Sequence, residues 1–144
     1  MLVRLIYASR ACAVVSNEAM EGILASSRRH NPINGITGVL CHSEEIFVQA
    51  LEGGRDQVNQ LYARLLKDSR HKDVVLLCYE EVAARRYASW TMGKVSLDKV
   101  NRSLLLKYSS TGILNPYDVS GCATVALLDE LAATAAFAVR VKSV

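Results

Sequence analysis

No Cys-x-x-Cys pair and no Cys/His spacing suited to zinc occurs in this sequence of 144 residues, whose four cysteines, Cys12, Cys41, Cys78 and Cys122, lie far apart. A bound metal and a dithiol redox centre are therefore not expected, and the thiols read as free and mostly buried. There is no Gly-x-Gly-x-x-Gly run, so the cradle for a nicotinamide dinucleotide is missing. Long apolar runs are absent too. Arg4 interrupts the N-terminal stretch, which does not read as a signal peptide, and Asp129 and Glu130 break the longest candidate for a membrane span of about 20 residues. A cytoplasmic protein with no membrane partner is the expectation. Charge of one sign is also scarce: 17 Lys and Arg against 14 Asp and Glu leave +3, too little to imply nucleic acid. Neither a solenoid repeat nor a low-complexity segment is found.

What is present fits one compact domain, with 51% hydrophobic and 22% charged residues. Leu2 to Ser9 reads as a strand. Ser16 can cap a helix whose Met20, Ile23, Leu24 and Ser27 share a face, ending near Arg28-Arg29-His30 because Asn31-Pro32 pushes the chain out of the helical region. Gly35 to Cys41 and Ile46 to Glu52 are strand-like runs joined by a hairpin-length loop. Val58, Leu61, Tyr62, Leu65 and Leu66 give a second helix reaching about Asp68. Val74 to Val82 reads as a strand buried on both faces, and Tyr87 to Val95 as a fifth strand. The order βαββαββ makes an α+β, ferredoxin-like sandwich with both helices on one face. The tail adds two helices, Asp98 to Tyr108 and about Ser120 to Val139. The stripe Val125, Leu128, Ala132, Ala135 and Val139 on the last one suits either the bare sheet face or another subunit.

Strand parity sets Gln49 between Phe47 and Leu51 on an apolar face, and an unpaired buried amide costs about 1–3 kcal/mol, so it needs a partner. Tyr7, which shares a face with Val3 and Leu5, is available if its strand is adjacent. A hydrogen bond that closes the core and a bound ligand with a polar edge both satisfy this pattern. Asn31 sits just past a helix terminus, where capping and ligand contact are both open. Arg64 and Arg70 suit either phosphate or solvent.

Together Leu5-Ile6-Tyr7-Ala8-Ser9, Asn31 to Leu40, Phe47-Val48-Gln49-Ala50-Leu51-Glu52-Gly53, Arg70-His71 and Trp90-Thr91-Met92 resemble the BLUF domain, a blue-light sensor that uses flavin. The resemblance spans about residues 1–95, and the remainder, 96–144, resembles the helical extension of short BLUF proteins without a fused output domain. It implies FAD, with FMN as an alternative, held noncovalently between the two helices. Tyr7 matches the photoactive tyrosine and Gln49 the switching glutamine, Asn31 the asparagine at the flavin's pyrimidine edge, and His30 its variable neighbour. Ile23, Ser27 and His71 are carried over as flavin contacts, Arg64 and Arg70 as basic positions near the ribityl-phosphate end. Trp90 and Met92 match a switch pair on the fifth strand. The resemblance implies electron and proton transfer from Tyr7, rearrangement of Gln49, and a signal passed to a separate downstream protein by a homo-oligomer that is not itself an enzyme. A small flavin oxidoreductase and a ferredoxin-like RNA-binding module are the alternative readings.

Overall fold

The computed structural model describes residues 1–14 and 16–134. Its sheet has five strands in the order β4-β1-β3-β2-β5: β1 (Leu2–Ala11), β2 (Thr37–His42), β3 (Ile46–Gly54), β4 (His71–Val82) and β5 (Gly93–Ser96). All neighbours pair antiparallel except β2 and β5, which run parallel. Two long helices, α1 (Asn17–His30) and α2 (Arg55–Leu65), cross one face, as the expected sandwich requires.

Helix α1 starts where Ser16 Oγ accepts from the Ala19 N–H at 3.0 Å, and three basic residues, Arg28, Arg29 and His30, fill its last turn. Its end has a different cause from the expected one. Asn31 keeps α-region angles (φ −61°, ψ −44°), so the helix stops because Pro32 has no N–H to continue the ladder, not because Asn31 is driven out of the helical region. Gly38 is obligatory in β2, since a Cβ there would sit 2.2 Å from the Ala50 carbonyl oxygen on β3.

Alternation along the strands builds two cores. Val3, Leu5, Tyr7, Leu40, Phe47 and Leu51 face the helices and pack on Met20, Leu24 and Val58. Ile6, Ala8, Val39, Cys41, Val48 and Ala50 face the other way, where Leu105, Leu127, Leu128 and Leu131 cover them. The last helix therefore spends its apolar stripe inside the molecule. Leu128 is fully buried there, with Val125 and Ala132 packed beside it. Ala135 and Val139 lie outside the described residues.

Four expectations need correction. The apolar run in β4 is not buried on both faces: β4 is an edge strand with Leu76 49% and Tyr79 41% exposed, because the chain adds its last strand at the opposite edge, beside β2. The fifth strand is not Tyr87 to Val95. Parallel pairing starts only at Gly93 opposite Val39, and residues 83–92 form a loop held by other bonds. The first tail helix splits into a short 3-10 turn, Leu97–Lys99, and α3 (Arg102–Tyr108), which begins where the Asn101 side chain accepts from the Ser103 N–H; α4 is Gly121–Ala133. The thiols are free but not mostly buried, since Cys41 is buried, Cys78 is half-buried and Cys12 and Cys122 are exposed. No described helix is long and apolar enough to cross a membrane.

Candidate functional site

A cavity of about 420 Å³ opens between α1, α2 and the sheet. The sheet supplies its inner wall. Tyr7 on β1 stands directly opposite Gln49 on β3, and both are nearly inaccessible at 3% and 5% exposure. The Tyr7 hydroxyl donates to Gln49 Oε1 at 2.5 Å, and Gln49 Nε2 points to Met92 Sδ at 3.4 Å. Burial is the chief cause that pushes the Tyr7 phenol well above its ordinary range, so Tyr7 holds its proton. Tyr62 packs on it at 5.7 Å between ring centroids.

Apolar side chains make the flat sides: Ile23 from α1, Leu61 and Leu65 from α2, and Leu40 and Phe47 from the sheet. Asn31 lies at one polar edge, 4% exposed, with its Nδ2 donating to the Thr91 carbonyl at 3.1 Å. That bond aims one end of the amide at the protein and leaves Oδ1 for another donor. Ser27 lines the same wall, although its hydroxyl donates back to the Ile23 carbonyl at 3.2 Å. At the opposite side His71 faces Tyr7 edge-on at 6.1 Å. Its Nε2 lies 2.5 Å from the Leu65 carbonyl, which can only accept, so the proton is on Nε2 and Nδ1 is left to the Ser9 hydroxyl at 2.7 Å.

The mouth is charged. Arg64, Arg70 and His30 are exposed there, and Asp68 accepts from Arg70, Nε to Oδ1 at 3.0 Å and Nη2 to Oδ2 at 2.6 Å. Bonding to Arg70 pulls the Asp68 carboxyl down to about 2.

Nine positions singled out in the sequence, Tyr7, Ile23, Ser27, His30, Asn31, Gln49, Arg64, Arg70 and His71, all line this one cavity. Trp90 and Met92 do not. Both are buried, but they sit in the loop before β5 and not on it; Met92 packs in the core beneath the cavity and Trp90 in the core across the sheet. Sequence reasoning missed Ser26, Asn34, Leu40, Phe47, Leu61, Leu65 and Asp68 as lining residues. Parity along β2 and β3 carries the signal for Leu40 and Phe47, and the helical repeat of α2 that for Leu61 and Leu65. Asp68 had none beyond its place two residues before Arg70.

A second feature absent from the sequence reading holds the 83–92 loop. The carboxylate of Glu52, fully buried on β3, accepts from Arg4 Nε at 2.9 Å, from the Arg86 N–H at 3.0 Å and from the Tyr87 N–H at 2.5 Å. Arg85 adds bonds to Thr37 Oγ1 and to the Gly35 carbonyl, and Arg86 pairs with Asp129 on α4 at 2.6 Å.

The donor set fits a flavin. A planar tricyclic ring needs two apolar walls, its polar edge needs amide groups that both donate and accept, and a ribityl-phosphate tail needs cations toward solvent. Ile23, Leu61 and Phe47 supply the first, Asn31 and Gln49 the second, and Arg64 and Arg70 the third.

Comparison with known proteins points the same way. The family model described as "Sensors of blue-light using FAD" matches residues 2–93. Photoactivated adenylate cyclase subunit beta of Euglena gracilis is 38% identical over 92 residues, 63% of this chain and 11% of that protein. The chain thus spans about a tenth of that relative's length. Among solved structures, BlsA in its photo-activated state superposes with a TM-score of 0.79 at 29% identity, over 99% of this chain and 100% of that one. BlrB, a BLUF protein in its dark state, gives 0.75 at 32% identity, over 92% and 96%.

Proposed function

Because the chain belongs to the BLUF family, sensors of blue light using FAD, we propose that it binds flavin in the cavity between α1 and α2 and switches through Tyr7 and Gln49. The observation that carries this reading is the 2.5 Å hydrogen bond from the Tyr7 hydroxyl to Gln49 Oε1 at the inner end of that cavity. Asn31 and Gln49 hold the ring's polar edge, with FAD the cofactor and FMN an acceptable substitute, since both carry the same ring. When bound, the flavin supplies the blue absorption and, once excited, a strong oxidant.

The rest is done by the chain. At rest the buried Tyr7 phenol keeps its proton. Loss of an electron turns a phenol into a strong acid, and the proton then has a ready acceptor in Gln49 Oε1. While Tyr7 has no proton to donate, Gln49 Oε1 has lost the donor that fixed the amide, which is then free to turn; the electron and proton return to Tyr7 and leave the amide rearranged. Among the described residues no thiol lines the cavity, and the cycle we propose forms no covalent adduct.

We take residues 1–95 as the sensing unit and 96–144 as a helical extension that carries the signal to a separate protein by contact. The chain acts in the cytoplasm as a homo-oligomer, not as an enzyme, with neither nucleic acid nor membrane as a partner. The purified protein should be yellow and show a small red shift under blue light that reverts thermally. A colourless preparation that takes up no added flavin, or bleaching of the flavin band on illumination, would overturn this reading.

A further inference from the structure

A second, open groove of about 830 Å³ lies between the β2–β3 hairpin loop, the segment that follows β5, and α3 with the loop after it. The buried side chains of Ile46, Leu97 and Leu114 form its floor, and Ile113 beside them stands 71% exposed, bare apolar surface of the kind that marks a contact site. Three exposed acids, Glu44, Glu45 and Asp98, line it as well. Among the described residues none of them makes an ion pair, and neither does Arg102, the one cation in the lining. On a chain of net charge +3 this rim is a local excess of acid.

Two walls of the groove continue the segments that carry Gln49 and Met92. β3 opens at Ile46 and contains Gln49, while β5 starts next to Met92 and runs to Ser96, which hands the chain to Leu97 and Asp98. Gln49 Nε2 meets Met92 Sδ at 3.4 Å, so a change at that contact bears on both walls.

We propose that this groove is the docking site for the downstream protein, and that it takes an amphipathic segment of that protein whose apolar side chains fill the floor while flanking Lys or Arg meet Glu44, Glu45 and Asp98. This rests on the light-sensing reading above and deepens it, giving the separate protein a surface and a chemistry. An acidic segment would satisfy the floor but not the rim.

The test is the binding of two labelled synthetic peptides to the flavin-loaded full chain, followed by fluorescence anisotropy. Both are helical-period peptides of about four turns with Leu at i, i+3, i+4 and i+7; one carries Lys at the outward positions, the other Glu. The Leu/Lys peptide should bind at least about tenfold more tightly, with the gap narrowing as salt is added, and its affinity should change at least about threefold under blue light. Exposed positions probe the groove without touching the core. The double variant E44K/E45K should reverse the preference, and Ile113→Ser should weaken the Leu/Lys peptide about fivefold. E18K/D56K, the same charge change at exposed sites on α1 and α2, should leave both affinities within about twofold. Equal affinity for the two peptides, equal effects of the control and groove pairs, or an affinity indifferent to light would overturn the proposal while leaving the red shift intact. A homo-oligomer whose mass falls to that of a monomer in Ile113→Ser would show the groove filled by a second copy and would overturn it too. A chain that shows no red shift yet keeps the peptide preference would overturn the light-sensing reading and leave the groove as a docking site.

Discussion

The amide of Gln49 satisfies its neighbours in one orientation only. With Oε1 toward Tyr7 it accepts a proton, and Nε2 donates to the thioether of Met92. Reversed, Oε1 would face a sulfur that can only accept. Tyr7 and Met92 therefore set the resting state between them, and substitutions separate binding from switching. Tyr7→Phe removes one hydroxyl and leaves Gln49 Oε1 without its donor, at a cost of about 1–3 kcal/mol in stability; flavin should be retained and the red-shifted state lost. Gln49→Leu keeps the volume and should give the same spectrum. Asn31→Ala, by contrast, removes the contact we propose for the ring's polar edge and should weaken flavin affinity about five- to tenfold before it alters the photocycle. A normal red shift in Tyr7→Phe, recorded by difference spectroscopy, would show that another group supplies the electron.

At the scale of elements, the loop between β4 and β5 has no helix or strand of its own and is held by polar anchors. Glu52, Arg4 and Arg85 fasten it to the sheet, and its Trp90 and Thr91 carbonyls accept from the Gly38 N–H and the Asn31 amide. Met92 is delivered to Gln49 by these bonds. Glu52→Ala would leave the Arg4 guanidinium, 5% exposed, with only the half-exposed Glu80 as counter-charge and the loop's Arg86 and Tyr87 N–H groups without their acceptor, and should cost about 2–4 kcal/mol in urea unfolding. Trp90, the single tryptophan, would report the loosened loop by a shift in its fluorescence. Helix α4 covers the sheet face, so Leu128→Glu places a charge in the core, not in a subunit contact. It should destabilise the fold by more than about 4 kcal/mol, as the sheet-face alternative for the stripe requires, whereas the subunit alternative calls for a lowered assembly state.

Across the whole molecule, buried acids set the response to pH. Burial raises the Tyr7 and Tyr87 phenols and the Cys41 thiol above their ordinary values. An acid whose folded value is raised stabilises the protein fully below its unfolded value, and that stability is lost as pH climbs beyond it, because the unfolded chain releases its proton first. The urea midpoint should therefore fall from about pH 8.5, where free thiols ionise, more steeply beyond about pH 10, at up to about 1.4 kcal/mol per pH unit for each group. Tyr7→Phe should make the upper fall shallower, and an unchanged slope would mean that Tyr7 does not titrate this way. The proposed homo-oligomer is checked at the same scale by light scattering in the dark and under blue light. A particle of monomer mass in both conditions at micromolar concentration would refute it.

Periodicity and turn chemistry in the sequence determined the two long helices, the first three strands and the βαββαβ order, because side chains at i, i+3, i+4 or at i, i+2 must share a face whatever the rest of the chain does. They also placed Gln49 on an apolar face in need of a partner. Only the tertiary structure decided that the partner is Tyr7, since pairing β1 beside β3 joins residues 42 positions apart. The same holds for the Glu52 carboxylate beneath the loop: a charge looks alike in sequence whether solvated or buried, and its partners come from other segments of the chain. The apolar run of β4 suggested a central strand, yet its place at the edge followed from where β5 joined the sheet. Residues 83–92 carry no period because hydrogen bonds to distant side chains, not a ladder, shape them. Local patterns record which way a residue faces; what it faces is settled by packing.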